Sequence, residues 1–229
     1  MTITVYDLCG ANDLRFSPNC WRTRLALAHK GLETAFEPWH FTEKERIAFS
    51  GGKTVPVLVD GEQTVRDSWE IAIYLEDAYP EKPSLFGGDA GRAVTGFINA
   101  WCDSHLHPGV IRCVLPEIYD RLDEIDRPYF KESRERRFGV PLDDFRAKKA
   151  DHVAALGQTL TPLRTILKAE DWIAGDAPAY ADYLVFAAFQ WARLVSPEDL
   201  LQADDPIHAW RERMLDLFDG LARGFDAAT

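Results

Sequence analysis

The hexapeptide Ser17-Pro18-Asn19-Cys20-Trp21-Arg22 places a hydroxyl and a thiol at the start of a predicted helix. Serine is a favoured N-cap, and proline at the first helical position loses nothing by lacking an N–H. Free backbone N–H groups and the positive end of the helix dipole gather there, and both favour a thiolate. That thiolate belongs either to Cys20 or to a bound thiol ligand. An ordinary alternative stands beside this chemistry, since Ser-Pro also opens many helices that have no function. A second cluster, Cys102, Asp103, His105, His107 and Cys113, has the residue types of a metal site. On a helix His105 and His107 point to different faces, and only Asp103 and His107 could meet. With no paired Cys-x-x-Cys spacing, no metal is expected there. A P-loop and a Gly-x-Ser-x-Gly elbow are both missing from the sequence.

The elements that must carry these residues follow from patterning. Ile3 to Leu8 is β-rich, and Trp21 to Lys30 is a helical pattern ended by Gly31. Glu33 to Trp39 alternates as a strand and Thr42 to Phe49 is a short helical pattern, before a break at Gly51-Gly52. Val55 to Val59 and Gln63 to Arg66 flank Asp60-Gly61, a hairpin dipeptide. Ser68 to Tyr79 is an amphipathic helix with Asp67 or Ser68 as its cap. The order is βαβ followed by ββα. Pro80 to Gly91 reads as a linker, after which β alternation stops. Long helical patterns cover Arg92 to Leu106, Leu142 to Lys168, Tyr180 to Leu194 and Ile207 to Leu221. Ala11 to Phe16 reads as a loop excursion beside the Ser17 helix, and Asp126 to Val140 as a charged connection. The expectation is an α/β unit over residues 1–80, a linker over 81–90 and an all-helical unit over 91–229.

Composition narrows the function. The 229 residues, 46% of them hydrophobic, are ample for a buried core. A formal net charge of −11 argues against nucleic acid and anionic membrane surfaces as partners. The N-terminus lacks a basic segment followed by an apolar one, and no apolar run approaches membrane-spanning length, so a cytoplasmic location is expected. Four scattered cysteines do not make a disulfide framework in a chain this long.

A βαβ-ββα order with a helix opening at Ser17-x-x-Cys20 and Val55-Pro56 before the third strand is the thioredoxin-type arrangement. Here the sequence resembles the glutathione S-transferase family over its whole length. Within that family, Ser17 to Arg22, Asp67-Ser68-Trp69 and the run from Trp172 to Tyr183 look most like the bacterial β-etherase class and its fungal serine-type relatives. The resemblance implies that Val55-Pro56 is cis and that Val55, with Lys53 and Thr54 beside it, offers backbone and charge to glutathione. It implies also that Asp67-Ser68 receives the γ-glutamyl end, the helix start taking its carboxylate and the acid its ammonium. Lys53 would reach a glutathione carboxylate or be a plain surface lysine.

In this reading the reactive sulfur is the ligand's, and Ser17 donates a hydrogen bond to its thiolate rather than acting as nucleophile. A thiol pKa lowered by one to two units corresponds to roughly 1.4 to 2.7 kcal/mol. Asn19 is a second donor or a helix-surface residue. The family places the wall of an electrophile pocket at the start of the helical unit, where Trp101, His105, His107, Arg112 and Tyr119 are the candidates, Trp101 also suiting the core. The implied reaction is glutathione transfer to an electrophilic carbon, with β-aryl ether cleavage as its specific form and a homodimer as its assembly. Two other readings stay open: a glutathione-dependent thiol-disulfide oxidoreductase using Cys20, and a glutathione-binding protein without turnover. In the Gly175 to Asp182 turn the family pattern Ser/Thr-x-x-Asp is met at Asp182, while Ala179 stands at the hydroxyl position, so the cap is weakened without touching catalysis.

Overall fold

The computed structural model describes residues 2–229. Strands β1 (Ile3–Leu8), β2 (Thr34–Trp39), β3 (Val57–Asp60) and β4 (Gln63–Arg66) form one sheet in the order β2-β1-β3-β4. β1 runs parallel to β2 and antiparallel to β3, with Val5 opposite both Phe36 and Leu58. Pro38, which has no N–H to donate, is tolerated because β2 is an edge strand. Helix α1 (Pro18–His29) follows β1, and α2 (Ser68–Ala78) follows β4. In α2 the residues Ser68, Ile71, Ala72 and Leu75 are buried, a helical stripe facing the sheet. Full burial of Ile71 and of Leu75 contributes about 1.5–3 kcal/mol each.

α1 has no such stripe. Every residue from Cys20 to Leu27 is buried, because α1 lies between the sheet and α9 (Tyr180–Val195). Its charged residues therefore need partners inside the protein. Arg24 meets Asp7 at 2.6 Å, Lys30 meets Glu76 at 2.6 Å, and Arg22 reaches Asp103 at 3.0 Å and Asn99 at 3.2 Å. Such pairs add little net stability, but removing one partner leaves a buried charge and costs about 3–5 kcal/mol.

The helical unit begins with α3 (Asp89–Trp101), which passes through a π turn at Cys102–Leu106 into α4 (His107–Asp120). The remaining helices are α5 (Arg127–Phe138), α6 (Leu142–Ala147), α7 (Lys149–Thr159), α8 (Thr161–Leu167) and α10 (Pro206–Gly220). Three sequence expectations are corrected. The charged connection over Asp126 to Val140 is instead a helix, α5, ended by Gly139 at φ +74°; Phe130 alone is buried in it, so no apolar stripe betrayed it. The single pattern from Leu142 to Lys168 is three short helices, with Pro162 unable to supply the N–H that would continue α7. The helical pattern at Thr42 to Phe49 is a 3-10 segment, Lys44–Ser50.

α9 is the spine of the core, buried at every position except Arg193. Asp182, fully buried, accepts from the N–H groups of Ile173, Ala174 and Ala179 at 2.8–3.2 Å and from Trp210 Nε1 at 3.0 Å. Ala179 contributes no hydroxyl, and the indole hydrogen bond adds a tie that the capping pattern alone does not contain. Among the described residues no helix is long and apolar enough to cross a membrane.

Candidate active site

Two adjoining depressions lie at the start of α1. The first, about 410 Å³, runs between the α/β unit and helices α4, α5 and α9. The second is a groove of about 630 Å³ beside the α2 start. Asn19, Lys53, Thr54 and Val55 border both, so the two form one continuous site.

Ser17 sits on the first cleft with 6% of its surface exposed. Its Oγ accepts from the Cys20 N–H at 3.4 Å, as an N-cap should. A hydroxyl has one proton and two lone pairs, so accepting from Cys20 N leaves its O–H able to donate. Cys20 is buried, 1% exposed, and burial together with Asp7 pushes its thiol well above the usual range. Burial likewise raises Cys9 and Cys102 to about 12 and Cys113 to about 11. All four are free thiols. None is poised to be a thiolate near neutral pH.

The Val55-Pro56 bond is cis, and Val55 has no backbone hydrogen-bond partner among the described residues. β3 pairing starts only at Val57, so the Val55 N–H and C=O are open to an extended ligand. Asp67 holds φ +71°, a conformation uncommon for a side chain with a Cβ, at the mouth of the groove. Its Oδ1 caps α2 by accepting from Trp69 N at 2.8 Å and Glu70 N at 3.4 Å, and Oδ2 remains free. Ser68 is placed differently from its partner: it is 2% exposed, does not border the groove, and its C=O accepts from Tyr180 Oη at 2.7 Å. Arg66 and Glu70, which sequence reasoning did not single out, do border the groove.

On the helical side the sequence candidates separate. His107 lines the cleft, with its Nε2 3.2 Å from Arg22 Nη2. Because a guanidinium only donates, Nε2 is the acceptor and the ring carries its proton on Nδ1. Burial and the Arg22 charge hold His107 well below the ordinary imidazole range, so it is neutral. His105 is exposed and bonds its neighbour Ser104, on a different face from His107. Arg112 borders a separate small groove near Phe145, and Tyr119 lies beside Arg127 outside the cleft. The wall is made instead by Ile111 of α4, Tyr129, Phe130 and Arg134 of α5, and Trp191 of α9, opposite Trp39 and Phe41. Reading residues 126–140 as a connection hid the α5 members. Trp191 sat in an apolar helical pattern that gives no hint which face opens to a cleft.

The walls are joined through Asp126, fully buried at the start of α5. Its carboxylate accepts from Phe41 N at 3.2 Å, Thr42 N at 3.0 Å and Thr42 Oγ1 at 2.8 Å, locking the loop after β2 to the helical unit. Gly10 permits a second junction: a Cβ there would lie 2.8 Å from the Arg121 carbonyl, which accepts from Ala11 N.

Sequence profiles of two domains match this arrangement: the N-terminal domain of glutathione S-transferases over residues 16–78 and the C-terminal domain over 93–219. The chain belongs to the glutathione S-transferase family. Glutathione is the cosubstrate of that family. The glutathione S-transferase-like protein ustS of Aspergillus flavus is 25% identical over 162 residues, 65% of this chain and 54% of that protein. The chain thus spans about half the length of that curated relative, and about a third of several plant glutathione S-transferases. Glutathione transferase GSTFuA3 from Phanerochaete chrysosporium superposes with a TM-score of 0.79 at 25% identity, covering 98% of this chain and 94% of its own. The glutathione S-transferase CsGST63524 of Ceriporiopsis subvermispora, solved in complex with glutathione, has the same fold, with a TM-score of 0.77 at 23% identity over 100% of this chain and 99% of its own.

Proposed function

We propose that the protein transfers glutathione to an electrophilic carbon, with Ser17 Oγ donating a hydrogen bond to the glutathione thiolate. The observation that carries this reading is the Ser17 hydroxyl, which caps α1 by accepting from Cys20 N and borders the cleft, where its O–H would turn to the thiolate. Val55 would pair its open backbone with the cysteinyl unit, Asp67 Oδ2 would take the ammonium, and Lys53 a carboxylate, with Thr54 alongside. The buried Ser68 would act through its place at the α2 start, not its hydroxyl. The neutral His107 would offer its Nδ1–H to an oxygen of the electrophile. The thiolate sulfur bonds to the carbon, the carbon–oxygen or carbon–halogen bond breaks, and the leaving group departs with the electron pair.

Cleavage of a β-aryl ether next to a ketone is the specific form proposed. The aromatic lining by Trp39, Phe41, Tyr129, Phe130 and Trp191 suits an aryl substrate. A homodimer in the cytoplasm completes the reading, supported by Val94 and Phe97 of α3, which are 62% and 74% exposed. Cys20 disfavours the oxidoreductase alternative, being buried and protonated. The test incubates protein and glutathione with an α-keto β-aryl ether, a halogenated nitroarene and a glutathione mixed disulfide, and identifies products by mass. Release of phenol from the ether, unchanged in a Cys20→Ser variant, is the expected result. Thiol exchange alone, abolished by Cys20→Ser, would defeat the reading, and tight glutathione binding with no turnover would favour a binding protein.

A further inference from the structure

The cleft that takes the electrophile is richer in unpaired cation than this chain's charge allows one to expect. With 37 acidic residues against 26 basic ones, carboxylates are abundant. Yet Arg134, on the cleft wall, has no carboxylate within ion-pair distance among the described residues; its one side-chain partner is Ser133 Oγ, at 3.1 Å. Its Nε is buried without a partner. The guanidinium lies over the Phe130 ring at 4.7 Å and near the Phe41 ring at 5.6 Å, which holds its plane, and its Nη2 has no partner among the described residues. One helical turn on, Arg137 borders the same cleft. The cleft's own carboxylate, Asp103, is already held by Arg22 at 3.0 Å. Burial and the Arg137 charge press Arg134 down from the usual guanidinium range, the direction expected of a cation lacking its counter-ion.

A guanidinium without a carboxylate partner, held flat on aromatic rings at a cleft wall, matches a ligand carboxylate. We propose that the second substrate is an aromatic electrophile bearing a carboxylate, which Arg134 binds, with Arg137 adding charge. This rests on the transferase reading, and the same chemistry has another source in the glycyl carboxylate of glutathione. Arg134 borders only the aromatic half of the site, whereas Lys53 borders both halves, which favours the electrophile.

The test compares 4-chloro-3,5-dinitrobenzoate with its neutral carboxamide. In both, the glutathione sulfur bonds to C4, chloride leaves with the C–Cl electron pair, and the thiol proton goes to solvent. Unreactive 3,5-dinitrobenzoate and 3,5-dinitrobenzamide serve for calorimetric binding. The acid should be preferred at least ~10-fold in both kcat/KM and Kd, the size of one charge-assisted hydrogen bond. Arg134→Met should bring the acid-to-carboxamide ratio to about one in both kcat/KM and Kd, with the glutathione KM unchanged, and Arg134→Lys should keep part of the preference. Carboxamide turnover also reports that the variant is folded. Equal use of acid and carboxamide by the unmodified protein overturns the proposal while leaving the transferase reading standing. A raised glutathione KM in Arg134→Met, with the preference intact, overturns it in favour of the glycyl carboxylate. Preferential binding of the acid without any turnover supports it and defeats the transferase reading instead.

Discussion

Replacing Ser17 by alanine removes the cap on α1 and, in the proposed function, a hydrogen bond to the glutathione thiolate, and the two losses have different readouts. As an N-cap, Ser17 accepts from Cys20 N at 3.4 Å, a long contact. Its loss should cost about 0.5–1 kcal/mol, the low end for caps, or a Tm drop of ~1–4 °C in a chain of this size. In the proposed role as donor to a thiolate, the hydroxyl would make a charge-assisted hydrogen bond worth about 1.5–3 kcal/mol, equivalent to one to two pKa units of the bound thiol. Ser17→Ala should therefore raise the pKa of bound glutathione by about one to two units and lower kcat/KM at pH 6.5 by roughly 10- to 100-fold, with activity recovering as pH rises. Ser17→Thr, which keeps the hydroxyl, should retain most of the activity. The assay is ultraviolet titration of the thiolate in the complex beside pH profiles of kcat/KM. An unchanged thiol pKa in Ser17→Ala would refute the donor role, whatever happened to the rate.

Asp67→Asn keeps an oxygen to cap Trp69 N and tolerates the positive φ, but removes the charge. The glutathione KM should rise about 10-fold with Tm nearly unchanged, and an analogue lacking the γ-glutamyl ammonium should bind both proteins equally. Asp126→Ala loses three accepted hydrogen bonds across the cleft, and calorimetry should find about 3–4 kcal/mol of destabilisation together with a higher KM for the electrophile. The folded state holds His107 neutral below its ordinary titration range, so on acidification the unfolded chain takes up a proton first. Stability is then complete above about pH 6.5 and falls with decreasing pH until the depressed folded value is reached, by up to ~1.4 kcal/mol per pH unit. Denaturant midpoints between pH 7 and 5 should show this slope and a shallower one in His107→Gln, with His29, also lowered by burial, contributing in the same direction.

What could be read without the structure were the features that local chemistry dictates. Apolar alternation marked β1 and β2, Asp60-Gly61 marked the hairpin, and the change after Gly91 to helical periodicity marked the second unit. Ser17, Val55-Pro56 and Asp67 lie at element ends, where caps and turns restrict the residue type, so their positions were legible too. The aromatic and basic wall was not. Arg134 belongs to a helix too polar to show a stripe, and Trp191 to one buried on nearly every side, so neither pattern says which residue faces a cleft. His105 and His107 lie on different faces of a helix, and only the packing around α4 decides which of the two borders the cleft. The sequence by itself determined the two-part architecture and the element ends at Ser17, Val55-Pro56 and Asp67, because these depend on short-range backbone requirements. Only the tertiary structure decided the aromatic and basic wall of the cleft, because a surface shared by α4, α5, α9 and the loop after β2 exists only when distant segments, tied by groups such as Asp126, are packed together.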